Sequence, residues 1–352
     1  MRVLAAWRDN AANYYRTQAP ALVLKYRGFD VDVKTPSMGD ASEYDILWLQ
    51  MHADPLTDIV VREFKDAGKK VLYDVDDWLF DIPPSWGSYD HFYQRGSGRP
   101  SERLILHERA IAYADLITCT TEYLAEKLCS KGYKTDIKDV DVLQNCVMMG
   151  DWDVLIDTKH EQDGPVLGWF GTGNHWDDWC EIADSVDRAL HEVKGYLALM
   201  GAPELLACFP DRLRARTMVS PIVPMKRFHD MRKLIKACDV GLAWATDRLE
   251  VSRCRSPLKA FQWGAAGVPL VVSGTVYGEV TRDDFQVAAN VATLAGKIVE
   301  KIEEANFPKE QIVNRWRERV WKEHSFETQS WRWLDVLEKL YNGEHNVENR
   351  GF

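Results

Sequence analysis

The chain has 352 residues with 54 acidic and 44 basic side chains, a formal net charge of −10, and a pI near 5.5. That balance excludes a surface that holds nucleic acid phosphates by overall charge alone. With 46% hydrophobic and 28% charged residues, 22 Gly and 14 Pro, the composition is globular and excludes disordered, collagen-like and disulfide-scaffold classes, while the length asks for two domains at roughly 150 residues each.

In chain order, an apolar strand at Val3 to Ala6 leads through a helix at about Pro20 to Tyr26, closed by Gly28, into a strand at Val31 to Val33. Ile46 to Leu49 reads as the next strand, followed by a helix carrying Ile59, Val60 and Phe64 and the strand Val71 to Tyr73. A helix from Ser101, a strand at Leu116 to Thr118, a helix from about Thr121 to Gly132 and a strand at Val140 to Leu143 complete the first round. After a polar stretch from Asp157 to Gly164 the rhythm restarts at Val166 to Phe170. A helix then keeps Ile182, Val186, Leu190 and Val193 to one stripe, and strands follow at Tyr196 to Met200, Met218 to Val223, Val240 to Ala243 and Leu270 to Val272. The tail from Pro308 to Tyr341 reads as two helices, the second with Trp331, Leu334, Leu337 and Tyr341 on one side.

Strands separated by helices imply parallel sheets covered on both faces. The expected fold class is α/β, two tandem Rossmann-like doubly wound domains facing a cleft. They span residues 1–157 and 165–307, with the helices of 308–352 packing back on the first domain. Ligands then bind at the carboxyl ends of the strands, between the sheets. The seven cysteines are odd in number, scattered and never spaced C-x-x-C, which suits reduced thiols. No apolar run approaches the roughly 18 residues of a membrane helix and no signal-peptide core follows Met1, so the expectation is a cytoplasmic protein without a transmembrane segment.

The post-strand loops carry the chemistry. In Arg255-Ser256-Pro257-Leu258-Lys259, Ser256 suits an N-cap and Pro257 the first helical position, and Gly267 closes the helix. The free N–H groups there, with Arg255 and Lys259, make an anion site suited to a diphosphate, against the alternative of a capped surface helix. Gly171-Thr172-Gly173-Asn174-His175 follows a strand, where glycine lets backbone approach a phosphate and His175 can reach its oxygens, although a tight turn needs glycine too. Asp74, Asp76 and Asp77 cluster beyond another strand, with His91 downstream, a pattern kept for a metal, sugar hydroxyls or acid/base work. Asn13, Tyr15 and Arg16 follow the first strand as a polar, aromatic and basic loop toward the cleft.

These residues resemble retaining GT-B glycosyltransferases of the GT4 type, the glycosyl transferases group 1. The likeness spans nearly the whole chain and rests on Tyr14-Tyr15-Arg16 with Pro20, the run Asp74 to Asp77, Thr120 to Leu124, Gln144-Asn145, Gly168 to Gly173, Asp239 to Ala243 and, above all, Arg255 to Lys259 leading to Gly267-Val268-Pro269-Leu270-Val271-Val272-Ser273. The resemblance implies a nucleotide-sugar donor on the C-terminal domain, UDP- or GDP-linked, with no cofactor and no metal. Gly171, Thr172, Gly173, His175, Lys226, Arg227, Ser256 and Gln262 would bind that donor. Arg255 and Lys259 would stabilise the departing diphosphate, and Asp76 and Asp77 would act on the acceptor beside Asn13, Tyr15, Arg16, Asp74 and His91. The chain departs from the pattern where most members have a Glu pair: Cys254 and Gln262 stand there.

A metal-dependent transferase using the D-x-D run, a GT-B-shaped sugar-nucleotide epimerase, and a binding module without transfer are the alternatives. A glycan or glycoprotein suits the acidic, aromatic cleft as acceptor. A modified nucleobase in DNA stays open through Arg16, Arg95, Arg99 and Arg103.

Overall fold

The computed structural model describes residues 1–131, 140–153, 162–221, 228–274, 276–277, 286–288, 290–305 and 310–343. Among these residues are two six-stranded sheets, parallel throughout. The first contains β1 (Val3–Ala6), β2 (Val31–Lys34), β3 (Ile46–Gln50), β4 (Lys70–Val75), β5 (Leu116–Cys119) and β6 (Val140–Val142) in the order β2-β1-β3-β4-β5-β6. The second contains β7 (Val166–Gly171), β8 (Tyr196–Gly201), β9 (Thr217–Pro221), β10 (Val240–Ala243), β11 (Leu270–Ser273) and β12 (Gln286–Ala288) in the order β12-β11-β10-β7-β8-β9. Strand order reverses direction beside β1 in one sheet and beside β7 in the other, and ligand crevices open at such reversals. The short β12 carries no period of its own and is a strand only because β11 offers it an edge. The boundary of the two halves, near residue 157, and the ends read at Gly132 and Val223 lie outside the described residues.

Every residue of β1, β3, β5, β10 and β11 is buried, as continuous apolar strands covered on both faces must be. In the second half the helix Trp176–Glu192 lays Trp179, Ile182, Val186 and Leu190 on the sheet. The helix Glu310–His324 inserts Trp316 and Val320 beside Phe261 and Trp263, and His324 stacks on Phe261 at 3.9 Å.

The last helix, Phe326–Asn342, lies on the N-terminal sheet, where Trp333 stacks on Trp48 at 4.9 Å beside Val3, Ala5 and Leu24. Its buried stripe is Trp333, Val336, Leu337 and Leu340, whereas Trp331 and Tyr341 are 54% and 46% exposed. The expected stripe is therefore corrected by rotation about the axis. Aromatic residues two positions outside the true face satisfy the same spacing in sequence. Hydrogen bonds from Val147 N to His324 O (2.8 Å) and from Phe326 N to Val147 O (3.0 Å) fasten this return to the first half.

One N-terminal expectation is also corrected. Helical structure begins at Ala11, not Pro20, because Asn10 caps it by accepting from Asn13 N at 2.7 Å. Tyr14–Gln18 then widens into a π turn before the helix Ala19–Tyr26. Such turns redirect side chains, and here Arg16 turns into the interior.

Candidate functional site

A cleft of about 360 Å³ lies between the carboxyl ends of the two sheets. Its C-terminal wall is built by the turn after β7, the ends of β8 and β9, and the segment between β10 and β11. The turn Gly171-Thr172-Gly173 ends in His175, whose ring is fixed from both sides. Its Nδ1 lies 2.5 Å from Asp178 Oδ2 and its Nε2 lies 2.7 Å from Lys259 Nζ. Arg255 donates to the same Asp178 oxygen at 2.7 Å and to Asn174 O at 2.7 Å, while the second oxygen of Asp178 accepts from Thr246 N at 2.8 Å. The guanidinium of Arg255 stacks over Trp86 of the first domain at 4.9 Å, and Lys259 sits 4.6 Å from the Trp169 ring. Gly201 is at φ 124, and a side chain there would strike Gly171 O, so the ends of β7 and β8 approach as closely as they do only because residue 201 is glycine; a side chain at Gly171 would instead press on Trp169 and His175.

These contacts set the charges. Burial, then the cations Arg255 and Lys259, push the His175 ring down to about 3, so it is neutral. Burial opposes the Asp178 carboxylate, but Arg255 and the His175 bond outweigh it and hold this acid well below its usual range. Burial and then Arg255 push the Lys259 ammonium well below its ordinary value.

The helix that follows begins at Leu258 with Pro257 in the cap position, so the expected Ser256 cap is corrected. Ser256 Oγ instead accepts from Asn145 Nδ2 of the first domain at 2.9 Å, a bond no local pattern announces. Gly267 closes the helix in the left-handed conformation at φ 72.

The N-terminal wall is formed by Ala11, Ala12 and Tyr15 after β1, Asp76 and Asp77 after β4, and Asn145 after β6. Here the three acids part company. Asp74 is fully buried and takes a bidentate pair from Arg16 (2.9 and 2.6 Å) and a bond from the Thr118 hydroxyl (2.6 Å). Asp76 accepts from Gln50 Nε2 at 2.6 Å. Burial, then Asp77 and Asp74, raise its carboxyl to about 8. Burial raises Asp77 too, against the pull of Arg255. Among the described residues no group of His, Cys, Asp or Glu side chains is arranged to hold a metal ion.

The walls also touch. Gln262 Nε2 donates to Tyr15 OH at 2.7 Å, Thr121 Oγ1 to Cys254 O at 3.2 Å, and Tyr123 OH to Glu250 Oε2 at 2.7 Å. The structure thus brings Tyr15, Asp76, Asp77, Gly171, Thr172, His175, Arg255, Ser256, Lys259 and Gln262 to one cleft. Gly173 lies next to it, against Glu204. Three acceptor expectations are corrected. Asn13 is buried, donating to Ala6 O and accepting from Arg8 N and Gln18 Nε2; Asp74 is buried against Arg16 and Thr118; and His91 sits exposed on the short helix Tyr89–Phe92, away from the cleft. Arg16 borders the cleft, with its guanidinium bound to Asp74 and Leu143 O. Lys226 and Arg227 lie outside the described residues. Sequence reading missed Asp178, Trp86 and Tyr277, and gave Asn145 no role beyond the resemblance. For Asp178 a signal existed, since His175 and Asp178 stand three apart at the start of a helix.

No family model and no curated protein matches the chain. Solved structures do. Anabaena HepE in complex with UDP and glucose aligns over 97% of this chain and 100% of its own, with TM-score 0.62 at 13% identity. The lipopolysaccharide outer core galactosyltransferase WaaB aligns over 96% and 99% with TM-score 0.56 at 12% identity. WaaG, a glycosyltransferase involved in lipopolysaccharide biosynthesis, aligns over 100% of both chains with TM-score 0.56 at 14% identity. Two parallel α/β sheets facing a cleft, a C-terminal helix returning to the first, and alignment along the full length of these enzymes make this chain a protein of the GT-B glycosyltransferase fold.

Proposed function

We propose that the protein is a glycosyltransferase that moves a sugar from a nucleoside-diphosphate donor, UDP- or GDP-linked, to an acceptor hydroxyl, in the manner of the GT4 type. The observation that carries this reading is the pairing of Arg255 and Lys259 through His175 and Asp178 on the C-terminal wall, opposite Asp76 and Asp77. The cations face the cleft at the start of the helix Leu258–Ala266, whose N-terminal N–H groups add to the same positive field. As the bond between the sugar anomeric carbon and the diphosphate oxygen breaks, negative charge grows on that oxygen. A fixed guanidinium and ammonium stabilise it without reorganising.

The acceptor oxygen bonds to the anomeric carbon on the face the diphosphate leaves, and its proton passes to a phosphate oxygen, so the configuration is retained and no resident metal is needed. Asp76 and Asp77 orient the acceptor by hydrogen bonds, a role that suits a carboxyl raised to about 8. Gln262 offers its amide oxygen to the donor ribose while its nitrogen holds Tyr15. HepE structures that contain UDP and UDP-glucose support a nucleotide-sugar donor. The acceptor is a polyhydroxyl compound, a glycan or glycoprotein.

A thermal-shift panel of nucleoside diphosphates and nucleotide sugars, run with EDTA and with magnesium on the wild type and Lys259→Ala, tests the donor site. The expected result is a metal-independent rise in Tm for one nucleotide family that Lys259→Ala loses. A rise that needs magnesium and ignores Lys259 would overturn it.

A further inference from the structure

We propose that Asp178 is a positioning residue that locks His175 and Arg255 so that Lys259 stands uncharged in the empty cleft and accepts one proton from solvent when the donor diphosphate enters. This deepens the donor reading above and rests on it.

The geometry fixes the tautomer. His175 Nδ1 lies 2.5 Å from Asp178 Oδ2 and 2.8 Å from Arg255 Nη1; an ionised carboxylate only accepts, so the shorter contact needs the ring proton on Nδ1, and Arg255 gives its own N–H to the same Asp178 oxygen at 2.7 Å. Nε2 then carries the lone pair, and it faces Lys259 Nζ at 2.7 Å. An amine and an ammonium both donate to that lone pair, so Lys259 can gain a proton without moving.

Counting charges gives the direction. Among the described residues one carboxylate, Asp178, lies within this cluster and already neutralises Arg255 at 2.7 Å. A second cation on Lys259 would have no carboxylate of its own among the described residues: the Trp169 and Phe170 faces attract it, but burial and Arg255's field oppose it. Tyr277 lines the cleft close to both Arg255 and Asp178. Asp76 and Asp77 face across the cleft, and both are held toward their neutral forms. Burial and Arg255 hold the Lys259 ammonium down accordingly. A diphosphodiester brings two negative charges, which reverses the count: beside the neutral Arg255–Asp178 pair, a proton on Lys259 cancels one of them, and the N–H groups at the start of the helix Leu258–Ala266 face the other.

Two consequences set this apart from a pair of fixed cations. The empty site avoids burying an unmatched charge, so the wall stays assembled without ligand. Donor affinity also becomes pH-dependent, falling as pH rises because the incoming proton grows scarcer.

Calorimetric titration of the full chain with UDP-glucose, and with GDP-mannose as a second probe, in HEPES and in Tris at one pH near 7.5 reads the proton directly. Both probes are diphosphodiesters with no phosphate group titrating near neutrality, so any proton exchanged belongs to the protein. The wild type is expected to take up most of one proton per donor bound, seen as a binding heat that changes with buffer. Lys259→Arg, permanently charged, is expected to bind with no uptake. Asp178→Asn is expected to weaken binding at least tenfold and to move the uptake to lower pH, with Asp178→Glu recovering part of both. A fold defect in Asp178→Asn would leave the Lys259→Arg comparison intact. Buffer-independent heat in the wild type, or unchanged uptake in Lys259→Arg, overturns the proton coupling while the donor site stands. Failure of both nucleotide sugars to bind overturns the donor reading and the coupling with it.

Discussion

Two Arg–Asp pairs brace this molecule, and they do opposite work. Arg16 and Asp74 meet in the N-terminal half with no solvent exposure on either side chain. Every remaining demand is met nearby: Leu143 O and Asn145 Oδ1 accept from Arg16, and Thr118 donates to Asp74. Arg255 and Asp178 form the same chemical pair in the C-terminal half, but a third group, Lys259, stands beside them in excess and the cleft lies open before them. A closed, balanced pair is a strut. A pair with an amine left over, ready to take a proton, has room for an anion.

The largest expected effect falls on the strut. Arg16→Met leaves Asp74 buried without its partner and should cost about 3–5 kcal/mol of stability by chemical denaturation, with most of it recovered in Arg16→Met/Asp74→Asn. If the single variant kept wild-type stability, the distinction between the pairs would collapse. Lys259→Met should do the reverse, losing roughly 10²–10³-fold in kcat with the Tm preserved or raised, because a buried amine gives way to an apolar chain. A drop in Tm with kcat unchanged would make Lys259 structural.

A smaller effect concerns Asp76. Its carboxyl is raised to about 8 in the folded chain, so between roughly pH 4 and 8 the native state holds a proton the unfolded chain has lost, and stability falls as pH rises through that window. One proton gives a slope of at most about 1.4 kcal/mol per pH unit. Asp76→Asn should flatten that part of a stability profile, and an unchanged slope would assign the titration elsewhere. Smallest is Tyr15→Phe, which removes the hydrogen bond from Gln262 across the cleft. It should cost about 1 kcal/mol in donor affinity or stability, measured by titration and by denaturation.

How much of this could be read beforehand differs between the walls. The C-terminal wall was legible because its parts are close in sequence: a glycine turn after a strand, and Arg255 and Lys259 at one helix start. Even there the cap went to Pro257, since Ser256 had a partner in Asn145, 111 residues away. The N-terminal wall was misread at Asn13 and Asp74, and Arg16 borders the cleft with its guanidinium turned away. Polar residues after a strand looked like cleft residues, yet the π turn at Tyr14–Gln18 swung Arg16 inward to an acid 58 residues away.

The sequence by itself determined the alternation of strands and helices in two rounds, the helix breaks at glycine, and the placing of chemistry in post-strand loops. These follow from periodicities and backbone preferences that act over a few residues. The tertiary structure alone decided which loop residues face the cleft and which are consumed inside, which face of the last helix is buried, and that Asp178 joins His175, Arg255 and Lys259 in one cluster. Those outcomes depend on charges and surfaces brought together from distant segments. Burial makes each such match or mismatch costly, so it is the partner, and not the residue type, that assigns the role.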